Sequence, residues 1–284
     1  MYKSGLVLEG GGSRAIYTSG VLDAFIENGI TFPYVIGVSA GTCNGVSFLA
    51  KAKHRQHDIT IDYINDKRYM SFSNFFKKGE YLDGDWIFGE LSYDLSPLDH
   101  DEFEKSGSVL CCVVTNAKTG KAEYLYPKDL RERGCPEIRA SCSLPGVTKG
   151  CEIGGELYYD GGLIDSIPLA RAFEDGCEKA LVILTQHKGY TKPPYKPYEL
   201  KIEEKLLKKY PLMAEAINNR PDIYNAQLEY IYKMQEEGLA YIIQPLTPLD
   251  CSTLEKSTAK LEAIYRLGYN QANREIEKIK EFLK

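Results

Sequence analysis

The sequence contains no apolar run approaching the ~18 to 20 residues needed to cross a bilayer, no surplus of basic charge and no Cys-x-x-Cys pair. Each absence excludes a class of protein. With no such run, and with a start, Met1-Tyr2-Lys3-Ser4-Gly5-Leu6, that lacks a secretory apolar region, the chain is expected in the cytoplasm. Lys plus Arg number 35 against 40 Asp plus Glu, a net charge of −5, so no positive field draws the molecule to phosphate backbones. Nucleic acid is therefore not an expected partner. The eight cysteines (positions 43, 111, 112, 135, 142, 151, 177 and 251) are irregularly spaced and sit mostly in apolar runs, as small buried thiols do. They indicate neither zinc nor a disulfide scaffold, although an even count leaves pairing open. Carboxylates do not gather at ligand spacing around a His or Cys pair, so no metal and no cofactor is implied.

What remains is an ordinary globular composition. The 284 residues, 43% apolar and 26% charged, suffice for one or two domains with a sizeable core. Short runs rich in Val, Ile or Leu recur at Leu6 to Leu8, Tyr34 to Ile36, Val109 to Val114, Ala180 to Leu184 and Tyr241 to Ile243, and read as buried strands. Between the first two, Ile16, Val21, Leu22, Phe25 and Ile26 share a helical face over residues 15–28, with Gly29 as its C′ residue. That is a βαβ unit. Such units predict a parallel sheet covered by helices, with functional residues on loops beyond the carboxyl ends of the strands.

Two stretches depart from this alternation. Residues 53–108 read as an insertion carrying Phe72, Phe75, Phe76, Tyr81, Trp86 and Phe88, either as a lid or as aromatics packing a subsidiary helical layer. Beyond Lys192, three prolines in six residues lead into a Lys/Glu-rich tail with helix groups at residues 199–236 and 253–284, separated by the strand-like Tyr241 to Ile243. No internal repeat is present.

The strongest chemical signal is Gly37-Val38-Ser39-Ala40-Gly41, directly after a strand and directly before the helix-compatible run of residues 42–52. This is the context of a nucleophile elbow, in which Gly37 and Gly41 must be small for the turn to close and Ser39 projects from a strained corner. An ordinary Gly/Ser turn is the alternative. A second motif, Gly10-Gly11-Gly12-Ser13-Arg14, follows the first strand and opens the first helix, and its amides suit either a phosphate cradle or an oxyanion hole. Ala15 stands where a dinucleotide fingerprint wants glycine, and Glu9 would repel a pyrophosphate. Ser39 also needs a base. Asp160, ahead of Gly161 and Gly162, would sit at a tight loop; His187, just after a strand, gives the order Ser39, Asp160, His187 of an α/β-hydrolase triad. His54, His57 and His100 read as solvated surface.

Together, Gly10-Gly11-Gly12-Ser13-Arg14, Gly37-Val38-Ser39-Ala40-Gly41 and Asp160-Gly161-Gly162 resemble, in order and spacing, the patatin-like phospholipase family. Ala140-Ser141-Cys142-Ser143-Leu144-Pro145 looks like that family's Ala-Ser-x-x-x-Pro element beside the active site, and the tail resembles a bacterial subgroup with a helical C-terminal extension. The resemblance implies a three-layer αβα fold with a mostly parallel central sheet, a catalytic domain over residues 1–190 with its insertion at 53–108, and an extension over 191–284 packed on the core. It implies a Ser39/Asp160 dyad, oxyanion-hole amides from Gly10, Gly11 and Gly12, and supporting roles for Arg14, Gly37, Gly41, Gly161 and Gly162. The activity implied is hydrolysis of acyl-lipid esters through an acyl-serine intermediate. An acyl lipid or small ester is then the substrate, and transient contact with a membrane surface is compatible with it; oligomeric state stays open. Where the family often has two asparagines, Asp165 and Ser166 stand, and a helix cap is the expectation for either. Two rival readings remain: the His187 triad, and a cleft that binds lipid without catalysis.

Overall fold

The computed structural model describes residues 1–127 and 129–284. Among these, one sheet is built from β1 (Gly5–Leu8), β2 (Tyr34–Val38), β3 (Val109–Asn116), β4 (Ala122–Leu125), β5 (Cys151–Ile153), β6 (Glu156–Asp160), β7 (Ala180–Ile183) and β8 (Ala240–Ile243). Hydrogen-bonded neighbours run β5-β6-β3-β2-β1-β7-β8, with β6 and β2 pairing successive stretches of β3 and β4 also paired to β3. Pairings from β3 through β2, β1 and β7 to β8 are parallel; those of β4, β5 and β6 are antiparallel.

The parallel strands fall on the apolar runs because both their faces are buried. Leu6, Leu8, Val35, Leu110, Leu181 and Ile183 point to one core. Val7, Ile36, Val38, Cys111, Val113 and Val182, one residue out of phase, point to the other. β4 and β5 lie outside the expected runs: Ala122-Glu123-Tyr124-Leu125 and Cys151-Glu152-Ile153 are short and mixed, and become strands through the partners they meet.

The helices are α1 (Ile16–Glu27), α2 (Ala40–Leu49), α3 (Arg55–Tyr63), α4 (Phe72–Lys78), the single turn α5 (Gly84–Trp86), α6 (His100–Lys105), α7 (Pro136–Ser141), α8 (Leu169–Glu174), α9 (Pro197–Leu206), α10 (Pro211–Asn218), α11 (Arg220–Glu236) and α12 (Thr258–Leu283). α1, α2 and α12 cover the first face of the sheet; α8 and α11 cover the second. This is the three-layer αβα arrangement with a mostly parallel sheet. The tail enters all three layers, since β8 extends the sheet while α11 and α12 lie on opposite faces. α12 crosses α1 at very close range: a Cβ on Gly268 would stand 2.1 Å from the Tyr17 carbonyl oxygen, and one on Gly20 2.1 Å from that of Tyr265.

The aromatics of the insertion divide. Trp86 is buried against the Tyr63 and Tyr69 rings, and Phe88 packs on the main core, as a subsidiary layer would. Phe72, Phe75 and Phe76 of α4 are instead 72%, 46% and 83% exposed. No helix among the described residues is long and apolar enough to cross a membrane.

Candidate active site

Ser39 links β2 to α2 with φ 55° and ψ −130°, a left-handed conformation that costs a non-glycine residue about 1–3 kcal/mol and persists only where its surroundings enforce it. The flanking glycines show what enforces it. A Cβ on Gly37 would lie 2.6 Å from the Thr42 Cα, and one on Gly41 2.5 Å from the Leu8 carbonyl oxygen, so the corner closes only without side chains there. The Ser39 N–H donates to the Ser141 hydroxyl at 3.0 Å, which lies 3.0 Å from the Thr42 hydroxyl. The α7 end thereby fastens the corner from the far side of the site.

Strand register explains how Asp160 arrives. β2 pairs β3 up to Val38 opposite Val113, and β6 pairs β3 from Asp160 opposite Val114. β4 pairs β3 over residues 112–115 and so occupies its other edge. β2 and β6 therefore approach end to end along one edge of β3, and Ser39 and Asp160 meet where each strand stops. Gly161 continues the turn against the Val113 carbonyl, and the Asp160 carboxylate accepts the Gly162 N–H at 2.8 Å. Burial pushes the Asp160 carboxyl up to about 6, against its ordinary 3.8, while the nearby Ser39 hydroxyl, the Gly162 amide and the Arg220 charge pull it down.

The glycine loop reaches the same point from β1. A Cβ on Gly10 would stand 3.0 Å from the Ser39 Cβ, Gly11 lies against Thr185, and Gly12, at φ 55°, against the Thr253 carbonyl. Among the described residues, the amides of Gly10, Gly11 and Gly12 find no protein acceptor, whereas Ser13 N–H donates to the Thr253 carbonyl at 2.9 Å. The Glu255 N–H donates to the Ser13 hydroxyl at 3.1 Å, and Arg14 donates to the Thr253 hydroxyl at 3.4 Å. The segment before α12 thus clamps the loop.

Two cavities join at Ser39, sharing Gly12, Ser39, Leu144 and Thr253 in their walls. One is apolar, with Ile16, Ile64, Met70, Leu82, Ile87 and Phe88 along it. The other is polar, with Arg14, Asp160, Lys192 and Arg220.

A sequence model of the family described as patatin-like phospholipase matches residues 6–173. The chain belongs to the patatin-like phospholipase family. A second match, a domain of unknown function (DUF6363), spans residues 210–284. The chain is 28% identical over 271 residues to the uncharacterized protein YjjU of Escherichia coli (strain K12), covering 93% of this chain and 74% of YjjU. It is 26% identical over 195 residues to lysophospholipase NTE1 of Saccharomyces cerevisiae (63% of this chain, 10% of that protein). Over 169 residues it is 25% identical to triacylglycerol lipase 4 of the same yeast (51% and 18%). It therefore spans about three quarters of YjjU and only a small part of the two yeast enzymes.

Within this patatin-like chain, the remaining sequence candidates part company. His187 turns away: its Nδ1 meets the Lys188 carbonyl at 2.9 Å and its ring stands edge-on to Tyr190, with no bond to Ser39 or Asp160 among the described residues. His57 and His100 are not solvated surface, whereas the His54 side chain is 45% exposed. His57 lies between Asp58 and Glu262, at 2.8 and 2.7 Å, His54 meets the Tyr265 hydroxyl at 2.9 Å, and His100 stacks on Tyr93. The first two fasten α3 to α12. Neither Asp165 nor Ser166 caps a helix: Asp165 accepts from the Tyr124 hydroxyl at 2.8 Å and Gln227 at 2.5 Å, and Ser166 donates to the Gly162 carbonyl at 2.9 Å. Both tie down the loop that carries Asp160. Outside the site, the Glu80, Asp83 and Asp85 carboxylates gather within 4.8 Å, but Lys78 pairs with Asp83 and Arg139 with Asp85, which already supplies the cations.

Sequence reasoning missed Glu9, Lys192 and Arg220. Glu9, read only as a repellent of pyrophosphate, is buried and accepts from Thr185 N–H at 2.6 Å and the Tyr224 hydroxyl at 2.6 Å. Burial raises its pKa. A carboxylate at the end of an all-apolar strand was a usable signal for a structural anchor. Lys192 and Arg220 carry none, because a turn and a helix start far along the chain bring them in.

Proposed function

We propose that the protein is a serine acyl hydrolase that cleaves carboxylic esters of acyl lipids with a Ser39/Asp160 dyad. Ser39 Oγ attacks the ester carbonyl carbon while its proton passes to Asp160. The free amides of Gly10, Gly11 and Gly12 receive the oxyanion, and the dyad proton then leaves with the alcohol. Water, deprotonated by Asp160 in turn, releases the fatty acid from the acyl-Ser39 intermediate. A carboxylate near pKa 6 is a better proton acceptor than a free Asp, yet is still mostly ionised at pH 7. Each well-placed oxyanion donor contributes about 10²- to 10³-fold, so much of the acceleration resides in fixed dipoles rather than in the base.

The observation that carries this reading is the convergence of a strained serine, a buried carboxylate and three unpaired glycine amides on one cavity, with Ser39 and Gly12 also lining the apolar cavity that adjoins it. The cavity suits an acyl chain. Phe72, Phe75 and Phe76, exposed beside Lys77 and Lys78 on α4, suit transient contact with a lipid surface. The test is covalent labelling by a fluorophosphonate probe together with mass-spectrometric lipid release. Wild type is expected to label at Ser39 and release fatty acid, and Ser39→Ala to do neither. Activity surviving in Ser39→Ala would sink the reading; binding of lipid without labelling would favour a non-catalytic cleft.

A further inference from the structure

The polar cavity holds an unbalanced charge. Arg14, Lys192 and Arg220 all line it, and their partners are neutral. Arg14 reaches the Thr253 hydroxyl, and its Nε is buried with no partner. Arg220 donates to the Gly162 carbonyl at 2.5 Å and the Tyr195 hydroxyl at 3.4 Å. Lys192 lies over the Tyr224 ring, 5.1 Å from its centroid. Burial, then Arg220 and Arg14, push the Lys192 ammonium down to about 8, while Glu9 pulls it up. The three are half-buried, and cations withdrawn from water are ordinarily paired. Here three share one cavity, and of the carboxylates in its wall Glu9 is engaged by Thr185 and Tyr224, and Asp160 by Gly162.

We propose that Arg14, Lys192 and Arg220 form an anion subsite on the leaving-group side of Ser39, and that the ester best accepted carries a phosphate monoester on its alcohol. The inference rests on the esterase reading for its direction, since the apolar cavity takes the acyl chain and leaves the polar one for the alcohol. A dianionic phosphate offers three oxygens to three cations. A phosphocholine headgroup would bring a quaternary ammonium into the same field, where both carboxylates of the cavity wall are already engaged. The phosphate binds and does not react: water adds across the acyl–oxygen bond and the phosphorylated alcohol departs intact. Lys192 and Arg220 lie beyond the patatin-like match, and Arg220 lies within the domain of unknown function. The tail thereby acquires a part in specificity.

Calorimetric binding to the Ser39→Ala protein tests this without turnover. The ligands are 1-oleoyl-glycerol 3-phosphate, 1-oleoyl-glycero-3-phosphocholine and 1-oleoylglycerol, below their micelle concentrations, with inorganic phosphate as a fourth. The phosphate monoester is expected to bind about tenfold or more tightly than the other two lipids, as a charge-assisted contact predicts. Adding Lys192→Met should remove most of that ratio, and Lys192→Arg should restore it. Equal affinities for the three lipids, or a ratio indifferent to Lys192→Met, overturn the subsite. So does inorganic phosphate binding as tightly as the phosphate-bearing lipid, which would mark a free-anion site. Fluorophosphonate labelling of the wild type reports the esterase reading separately, so failure of one is distinguishable from failure of the other.

Discussion

Replacing the proposed base should stabilise the protein. Asp160 is buried, with a carboxyl pKa of about 6 in the folded chain against 3.8 as the ordinary value. Because the folded value is the higher, the native state binds the proton more tightly than the unfolded state does. The stabilisation belonging to the protonated form is full below about pH 4 and is lost as pH rises through 6. At pH 8 the ionised group therefore costs about 3 kcal/mol relative to its neutral form, and at pH 5 about half of that. Asp160→Asn keeps an oxygen for the Gly162 N–H and carries no charge, so the variant is expected to gain about 2–3 kcal/mol over wild type at pH 8 and distinctly less at pH 5, while ester hydrolysis disappears. Urea unfolding of both proteins at the two pH values reads the gain directly. A variant less stable than wild type at pH 8, or an advantage that does not shrink toward pH 5, would refute the argument that burial dominates this carboxyl.

In wild type, kcat/KM on a soluble ester should fall about tenfold per pH unit below pH 6, as the dyad carboxylate protonates; a limb centred near pH 4 would contradict the buried base. His187→Ala should hydrolyse the same ester within about twofold of wild type, whereas a triad histidine would cost ~10³-fold or more in initial rate. Gly268→Ala should lower stability by about 1–3 kcal/mol, visible in calorimetry as a Tm depressed by several degrees, because its methyl would overlap the Tyr17 carbonyl; an unchanged Tm would mean that α1 and α12 part easily. Phe72→Ser combined with Phe76→Ser should weaken sedimentation with lipid vesicles about tenfold or more, given ~1.5–3 kcal/mol for burying each Phe, while a soluble ester is turned over as before; vesicle binding equal to wild type would remove α4 as the contact.

The legible parts of the site were those written locally. A strand, a tight turn and a helix start occupy a dozen contiguous residues, so Gly10–Arg14 after β1 and Gly37–Gly41 after β2 declare themselves by spacing. A parallel sheet then brings both loops to one end. Asp160 was marked by the glycines after it. Its meeting with Ser39 depends on β2 and β6 sharing an edge of β3, a register that no local pattern encodes. The same holds for β4 and β5, whose mixed residues take strand form from their neighbours. The histidines show the opposite failure: a polar residue amid charged ones reads as solvated, yet His57 is fixed between Asp58 and Glu262, and Glu262 lies 205 positions away. Asp165 looked like a local cap for the same reason, and is instead held by Tyr124 and Gln227.

Long-range dependence also decides what the tail is for. The Ser39 corner and the buried Asp160 charge each disfavour folding by a few kcal/mol, a large fraction of the ~5–15 kcal/mol that holds a typical domain together. Such a site survives only where other packing enforces it. Part of that packing is supplied from beyond the patatin-like match: α12 lies on α1, Thr253 and Glu255 fasten Ser13 and Arg14, and Arg220 and Gln227 grip the loop after Asp160. The Thr253 and Glu255 contacts fall on the glycine loop and the Arg220 and Gln227 contacts on the loop after Asp160, the two loops that flank the serine. Residues beyond 190 therefore complete the walls of the cleft, and Thr253, more than 200 positions along the chain from Ser39, holds the glycine loop beside it.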